Sequence, residues 1–150
     1  GNHGPAYYRR YPPRFRRFVP DCATAELREC SRDAIVNAYD NGILYTDFVL
    51  SGIIDELGRR AEQLDSAMIY VSDHGESLGE GGLYLHGIPY AVAPKTQTHV
   101  PLITWVSDGW RRASGLDMAC LRDAAASDFS HDNMFHSVLG LLDVRTSVLQ

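Results

Sequence analysis

The chain of 150 residues is 45% hydrophobic and 22% charged, and it carries a formal net charge of −5. This length suits one domain and this apolar content suffices for a buried core, which excludes an intrinsically disordered chain. No apolar run reaches the roughly 18 residues that a membrane-spanning helix requires, and no stretch has the pattern of a signal peptide. Because the sequence begins at Gly1 without a methionine, we expect it to be a piece of a longer protein.

The charge is distributed unevenly along the chain. Residues 1–18 contain no acid and five arginines, so the remaining residues sum to −10. An acidic body disfavours nucleic acid as a partner. The arginines are able to hold an anion such as a phosphate, but a solvated surface is the simpler interpretation. These arginines are Arg9, Arg10, Arg14, Arg16 and Arg17.

The first 21 residues are predicted to form an irregular surface segment. Pro12 and Pro13 exclude a long helix, and the aromatic residues between the arginines are expected to pack inward. Next in the chain, Cys22 and Cys30 are close enough to close a small loop. They form either a disulfide, which implies an oxidising compartment such as the periplasm, or two reduced thiols. Cys120 is left over, as a half-buried free thiol or as half of a bridge to a missing partner.

The longest helical pattern runs from Ser31 to Arg60. Ser31 is a suitable N-cap, apolar residues recur near helical spacing, and Gly58 with the basic pair Arg59-Arg60 marks the end. This helix is predicted to cover one face of a sheet, as in doubly wound α/β folds.

The first strand of that sheet is predicted at Met68–Val71, because a continuous apolar run fits a strand covered on both faces. It leads directly into Asp73 and His74, which the end of a strand would place in a ligand-binding crevice. A carboxylate beside an imidazole is a zinc-type donor set. The glycine-rich loop that follows is predicted to bring His86 back to the same region.

A simpler interpretation of this stretch stays open, in which Asp73 caps a turn and both histidines are ordinary loop residues. Glu76 and Glu80 are candidate general bases, but acids beside a glycine-rich loop are commonly solvated. We therefore predict that both are surface or capping residues.

A second buried strand is predicted at Leu102–Val106, with Pro101 at its start. His99 precedes that strand, so it lies near Asp73 only if the two strands are antiparallel. It is interpreted as a supporting or hydrogen-bonded residue, not as a ligand. The sequence then predicts turns at Ser107–Gly115, a short helix or coil at Asp117–Ala126, and a helix at His131–Leu142 capped by Ser130. On that helix His131 and His136 are five residues apart and do not share a face.

Several blocks together resemble a known family, the lipid A phosphoethanolamine transferases of the mobilised colistin-resistance type, within the sulfatase and alkaline-phosphatase superfamily. The resemblance covers essentially the whole chain and is strongest with the C-terminal part of the family's periplasmic catalytic domain. The blocks are Gly1-Asn2-His3-Gly4-Pro5-Ala6-Tyr7-Tyr8, Asp73-His74-Gly75-Glu76-Ser77-Leu78-Gly79-Glu80, Leu83-Tyr84-Leu85-His86-Gly87, Gln97-Thr98-His99-Val100-Pro101 and Ser130-His131-Asp132-Asn133.

The resemblance implies an α/β/α sandwich of the sulfatase type and a zinc ion held by residues matching Asp73 and His74, with a Glu and a Thr from earlier in the chain. It implies that His3 and His86 line the pocket for the donor phosphate or hold a second zinc, and that Cys22 pairs with Cys30. The implied reaction moves phosphoethanolamine from phosphatidylethanolamine to a lipid A phosphate, which confers polymyxin resistance, at the periplasmic face of the inner membrane.

The resemblance also implies that important parts precede Gly1. The nucleophilic Thr, its Glu partner, the first strands of the sheet and a membrane-spanning N-terminal domain have no counterpart in the chain, so these 150 residues alone are expected to be inactive. Two alternatives stay open. One is a hydrolase of the sulfatase or phosphodiesterase type, and the other is a non-catalytic truncated module.

Overall fold

The computed structural model describes residues 2–147, so Gly1 and positions 148–150 lie outside the described part of the chain. The elements combine helices with short strands. In chain order they are α1 (Arg32–Arg59), β1 (Ala67–Val71), β2 (Ser77–Leu78), β3 (Tyr84–Leu85), α2 (Lys95–Thr98), β4 (Leu102–Val106), α3 (Asp108–Ser114), α4 (Met118–Ala124) and α5 (Asp132–Leu141).

The chain divides into two compact units. The first contains the residues up to Glu56 together with Tyr70–Ile103, and the second contains Leu57–Ile69 together with the residues from Thr104 onward. Across residues 2–147, no helix combines the length and the apolar character that crossing a bilayer requires.

In the first unit, the predicted irregular segment packs onto α1 through its tyrosines. Tyr7 is fully buried and Tyr11 is 8% exposed, while the five arginines remain at the surface, as predicted. Asn41 on α1 is fully buried and holds the segment by its side chain. Its Oδ1 accepts from the amides of Arg17 (2.7 Å) and Phe18 (2.9 Å), and its Nδ2 donates to the Phe18 carbonyl (2.9 Å).

A small apolar core stabilises this arrangement. Its buried members are Tyr7, Cys22, Leu27, Ala34, Ile35, Ala38 and Leu78. The disulfide Cys22–Cys30 closes the loop ahead of α1, which confirms the implied pairing.

The prediction of a half-buried thiol at Cys120 is wrong, because that residue is exposed. Successive helical residues are rotated by about 100°, so Cys120 points away from the side of α4 on which Met118 and Leu121 are half-buried.

The helix predicted at Ser31–Arg60 is confirmed as α1, and the Ser31 hydroxyl accepts from the Ala34 amide at 3.2 Å. The prediction of turns at Ser107–Gly115 is wrong, since α3 occupies that stretch. Ser107 accepts from the Trp110 amide (3.2 Å) as an N-cap, and Gly115 ends the helix with a φ of 68°. These capping residues outweigh the turn character of the sequence between them.

The strands predicted at Met68–Val71 and Leu102–Val106 form as β1 and β4, but neither is fully buried. Every residue of β1 is half-buried, and Leu102 is 48% exposed. An apolar run predicts full burial only where both faces of the sheet are covered, and in residues 2–147 this sheet has two strands. The strands are antiparallel, because Ser72 after β1 donates to Pro101 before β4, and Ser107 after β4 donates to Ser66 before β1.

The later helices begin close to their predicted positions. Asp117 caps α4 by accepting from the Ala119 amide at 2.8 Å. The last helix begins at Asp132, one residue after its predicted start, so His131 is its N-cap and the predicted cap at Ser130 is wrong. The Ser130 hydroxyl accepts from the Asp132 amide at 3.3 Å.

We predict that Asn41→Ala lowers the free energy of unfolding by about 2 kcal/mol, because it removes three part-buried hydrogen bonds to the backbone of Arg17 and Phe18. Urea denaturation measures the loss. The matched control is Asn37→Ala, one turn earlier on α1, which removes a single exposed hydrogen bond to Pro20. The control should lose less than about 1 kcal/mol. Equal losses would show that Asn41 does not hold the segment.

Candidate metal centre

The loop after β1 is held in place by the segment containing α2. The Gly75 amide donates to the Gln97 carbonyl at 2.9 Å, and a Cβ on Gly75 would overlap the Thr96 carbonyl oxygen. The Ser72 hydroxyl donates to the His74 carbonyl at 2.9 Å. These contacts fix the backbone on both sides of Asp73 and His74.

A short hairpin returns His86 to the same place. Strands β2 and β3 pair antiparallel, with Ser77 opposite Leu85 and Leu78 opposite Tyr84. The rings of His74 and His86 consequently stack with their centroids 3.8 Å apart. The predicted return of His86 is confirmed.

The N-terminal segment adds a third imidazole. The ring centroid of His3 lies 4.7 Å from that of His86 and 5.7 Å from that of His74. One nitrogen from each ring lies within 4.8 Å of the others, so the three side chains form a potential metal-binding cluster. His3 is exposed and the other two are half-buried, and all three belong to the first unit.

In each of these rings, Nδ1 lies against a protein oxygen. The partner is the Gly4 carbonyl for His3 (2.7 Å), the Gly75 carbonyl for His74 (2.9 Å) and the Glu76 carboxylate for His86 (2.9 Å). Carbonyl and carboxylate oxygens only accept, so Nδ1 carries the hydrogen and the lone pair of the neutral ring lies on Nε2. This arrangement is typical of metal-binding histidines, whose other nitrogen donates to an oxygen.

The prediction that Glu76 is a surface or capping residue is wrong. Its side chain is only 3% exposed, because Glu76 adjoins the fully buried strand β2. Its Oε2 accepts from the Tyr7 hydroxyl at 2.9 Å, and its Oε1 accepts from His86. Glu80 behaves as predicted, as a half-exposed residue that accepts from the Leu78 amide (2.6 Å) and from Arg32 (3.2 Å).

Asp73 is exposed and lies beside His74, outside the three-histidine cluster. Its side chain is 88% accessible, and Oδ2 lies 3.9 Å from His74 Nε2. Burial raises the pKa of this carboxyl, but the His74 amide, which donates to Oδ1 at 3.0 Å, and the neighbouring His74 imidazole lower it by more. The net pKa is below the ordinary value, so Asp73 is ionised near neutral pH and available to a cation.

The remaining histidine predictions depend on strand direction. The antiparallel strands place His99 at the same end of the sheet as Asp73, but its side chain is exposed and lies outside the three-histidine cluster.

The sequence did not predict a role for Tyr7 in the site. No periodic pattern marks that residue, and only the resemblance of the Gly1–Tyr8 block could have suggested a role.

The donor set fits zinc. Three imidazoles whose Nε2 atoms are available, with the ionised carboxylate of Asp73 beside His74, are ligand types that Zn²⁺ prefers, and the hydrogen-bonded Nδ1 atoms fix the orientation of the rings.

Comparison with known proteins identifies the class. Residues 1–144 match the sulfatase family, and the chain therefore belongs to that family. The predicted sulfatase-like α/β fold is confirmed by a solved structure, the integral membrane protein lipooligosaccharide phosphoethanolamine transferase A from Neisseria meningitidis. The TM-score is 0.91 at 49% sequence identity, covering 95% of this chain and 27% of that one.

Individual proteins similar to this chain are named as phosphoethanolamine or phosphatidylethanolamine transferases. The chain is 46% identical to phosphoethanolamine transferase EptA from Salmonella typhimurium, over 100% of this chain and 28% of that protein. It is 42% identical to phosphatidylethanolamine transferase Mcr-1 from Escherichia coli, over 96% of this chain and 25% of that protein. The chain thus spans about a quarter of the length of the curated relatives it matches.

We predict that His86→Ala weakens Zn²⁺ binding at least about 100-fold, since losing only a residue that supports a ligand costs 10- to 100-fold. Isothermal titration calorimetry with zinc ions measures the affinity. His99→Ala removes an exposed histidine outside the cluster and should bind zinc as the parent protein does. If both variants retain the parent affinity, the three histidines do not form a metal site.

Proposed function

We propose that this chain is the C-terminal part of the catalytic domain of a zinc-dependent phosphoethanolamine transferase. The observation that carries the proposal is the convergence of His3, His74 and His86, each with its Nδ1 bonded to a protein oxygen, beside the ionised Asp73. Asp73 and His74 hold the catalytic zinc, together with ligands from the part of the relatives that this chain does not cover.

Zinc held by Asp73 and His74 would neutralise charge on the phosphoryl oxygens and lower the pKa of an attacking hydroxyl. The attacking group is a threonine outside this chain, so the 150 residues alone are inactive. Its hydroxyl gives up a proton to solvent, and its oxygen forms a bond to phosphorus as the bond from phosphorus to the diacylglycerol oxygen breaks. An oxygen of the acceptor phosphate then displaces the threonine oxygen from phosphorus in a second step.

In this proposal His3 and His86 line the pocket for the donor phosphate or hold a second zinc ion. In the pocket, Nε2–H groups would donate to the phosphoryl oxygens, and one ring would deliver a proton to the departing alcohol. Glu76 supports either role of His86, because its buried carboxylate accepts from Nδ1 and so fixes the orientation of the ring.

We propose phosphatidylethanolamine as the donor and a phosphate of lipid A as the acceptor, so that the reaction confers polymyxin resistance. The relatives support this assignment, since one is named a phosphatidylethanolamine transferase and another a lipooligosaccharide phosphoethanolamine transferase.

The proposed location is the periplasmic face of the inner membrane, with attachment through an N-terminal membrane domain. The disulfide Cys22–Cys30 supports an oxidising compartment. The integral membrane relative supports attachment to the membrane.

We predict that Asp73→Ala or His74→Ala in the complete enzyme abolishes both zinc binding and transfer of radiolabelled phosphoethanolamine to lipid A. Each variant removes one of the few ligands that zinc has in a protein site. Asp47→Ala, which removes an exposed carboxylate on α1, is the control and should retain both properties.

Full activity of either site variant would refute the assignment of the zinc ligands. Label released to water, with none on lipid A, would identify a hydrolase instead. Tight stoichiometric zinc binding with donor cleavage by the 150-residue chain alone would refute the proposal that the nucleophile lies outside it.

A further inference from the structure

One buried carboxylate receives hydrogen bonds from both segments that carry the histidines. Glu76 Oε2 accepts from the Tyr7 hydroxyl at 2.9 Å. Glu76 Oε1 accepts from His86 Nδ1 at 2.9 Å, and the Gly4 amide points at the same oxygen from 3.5 Å. Glu76 therefore joins the N-terminal segment, which includes His3, to the hairpin that ends at His86.

We propose that Tyr7 is a positioning residue for this centre. By holding Glu76 Oε2, its hydroxyl keeps Oε1 on His86 Nδ1 and so fixes the His86 ring as the tautomer with a free Nε2. The connection to metal binding rests on the proposed function, whereas the effect on the tautomer belongs to the protein without metal.

Tyr7 is closely packed around its ring and its hydroxyl. The residue is fully buried, and its ring packs edge-on against Tyr39 with the centroids 5.5 Å apart. A Cβ on Gly4 would lie 2.6 Å from the Tyr7 hydroxyl oxygen, so a glycine is required at that point. Burial, followed by the charge of Glu76 and the hydrogen bond to it, raises the pKa of Tyr7 well above its ordinary value. The hydroxyl keeps its proton and acts as a donor.

Loss of that donor changes what Glu76 can do. Without the Tyr7 hydroxyl, Oε2 has no hydrogen-bond donor inside the protein. An unpaired buried oxygen is costly in free energy, so the carboxylate rotates toward another donor. His86 Nδ1 then loses its fixed acceptor, and the ring populates both neutral tautomers. In one of them Nε2 carries the hydrogen and offers no lone pair to a metal.

The test compares Tyr7→Phe with Tyr11→Phe in protein labelled with ¹⁵N-histidine. Tyr11 is the matched control, since it is also buried in the N-terminal segment and its hydroxyl donates to a carboxylate, Asp21 Oδ2 at 2.7 Å, that lies outside the histidine cluster. Long-range ¹H–¹⁵N spectra of the metal-free protein, recorded near pH 8.5 where ordinary imidazole is neutral, report the tautomer of each ring. Calorimetry with zinc ions then gives the affinity.

We expect His86 to be a single tautomer in the parent protein and in Tyr11→Phe, and a mixture in Tyr7→Phe. Zinc affinity should fall about tenfold in Tyr7→Phe, because losing a residue that supports a metal ligand costs about 10- to 100-fold. The affinity should stay unchanged in Tyr11→Phe. An unchanged His86 tautomer in folded Tyr7→Phe would overturn the proposal. A mixture of tautomers in a protein whose parent binds no zinc would support the positioning role and refute the zinc part of the proposed function.

A second variant covers the case in which Tyr7→Phe does not fold. Glu76→Asp keeps the charge but is one methylene shorter, so it cannot keep both Tyr7 and His86 at hydrogen-bond distance. A mixture of His86 tautomers is expected in this variant as well. A single Nδ1–H tautomer would show that the connection to Tyr7 is dispensable and would overturn the proposal.

Discussion

The buried carboxylate of Glu76 is the constraint on which the candidate centre depends. A charged group with only 3% of its side chain exposed is stable only where donors surround it, and Tyr7 and His86 supply them from two distant parts of the sequence. Satisfying this one group brings the N-terminal segment and the hairpin together. The positions of His3 and His86 follow from that requirement.

The rest of the centre depends on close backbone approach. Gly75 lies against the carbonyl of Thr96, where any side chain would collide, and this contact fixes the loop that carries Asp73 and His74. Behind it, Gln97 Nε2 donates to the buried Ser77 hydroxyl at 2.9 Å. Gln97 therefore holds the loop by two hydrogen bonds, one from its backbone and one from its side chain, which suits a site that must hold its groups without reorganising.

The three histidines differ in the hydrogen-bond partners of their Nδ1 atoms. His3 and His74 bond to carbonyl groups next to themselves, so their orientation is set locally. His86 bonds to a carboxylate ten residues away, so its orientation depends on the tertiary structure. In all three rings the hydrogen bond at Nδ1 leaves Nε2 available to a ligand. Membership of the sulfatase family agrees with a metal-binding cluster.

The sequence by itself determined the long helix α1, the positions of both five-residue strands, and the return of His86 to the position of His74. These features depend on local pattern, since helical spacing, an apolar run and glycine-rich turns act over a few residues. The sequence also contained the capping residues of α3, Ser107 and Gly115. The turn-forming residues between them led to a prediction of turns instead of a helix.

Only the tertiary structure decided the direction of β4, the burial of Glu76 and the role of Tyr7. Strand direction depends on which backbone groups find partners, as at Ser72 and Pro101. A glutamate beside glycines has the same local sequence whether it is solvated or buried. Its burial depends on a tyrosine 69 residues away in the chain. The local sequence pattern does not predict this contact, because the hydrogen bond between Glu76 and Tyr7 exists only after the two segments have packed together.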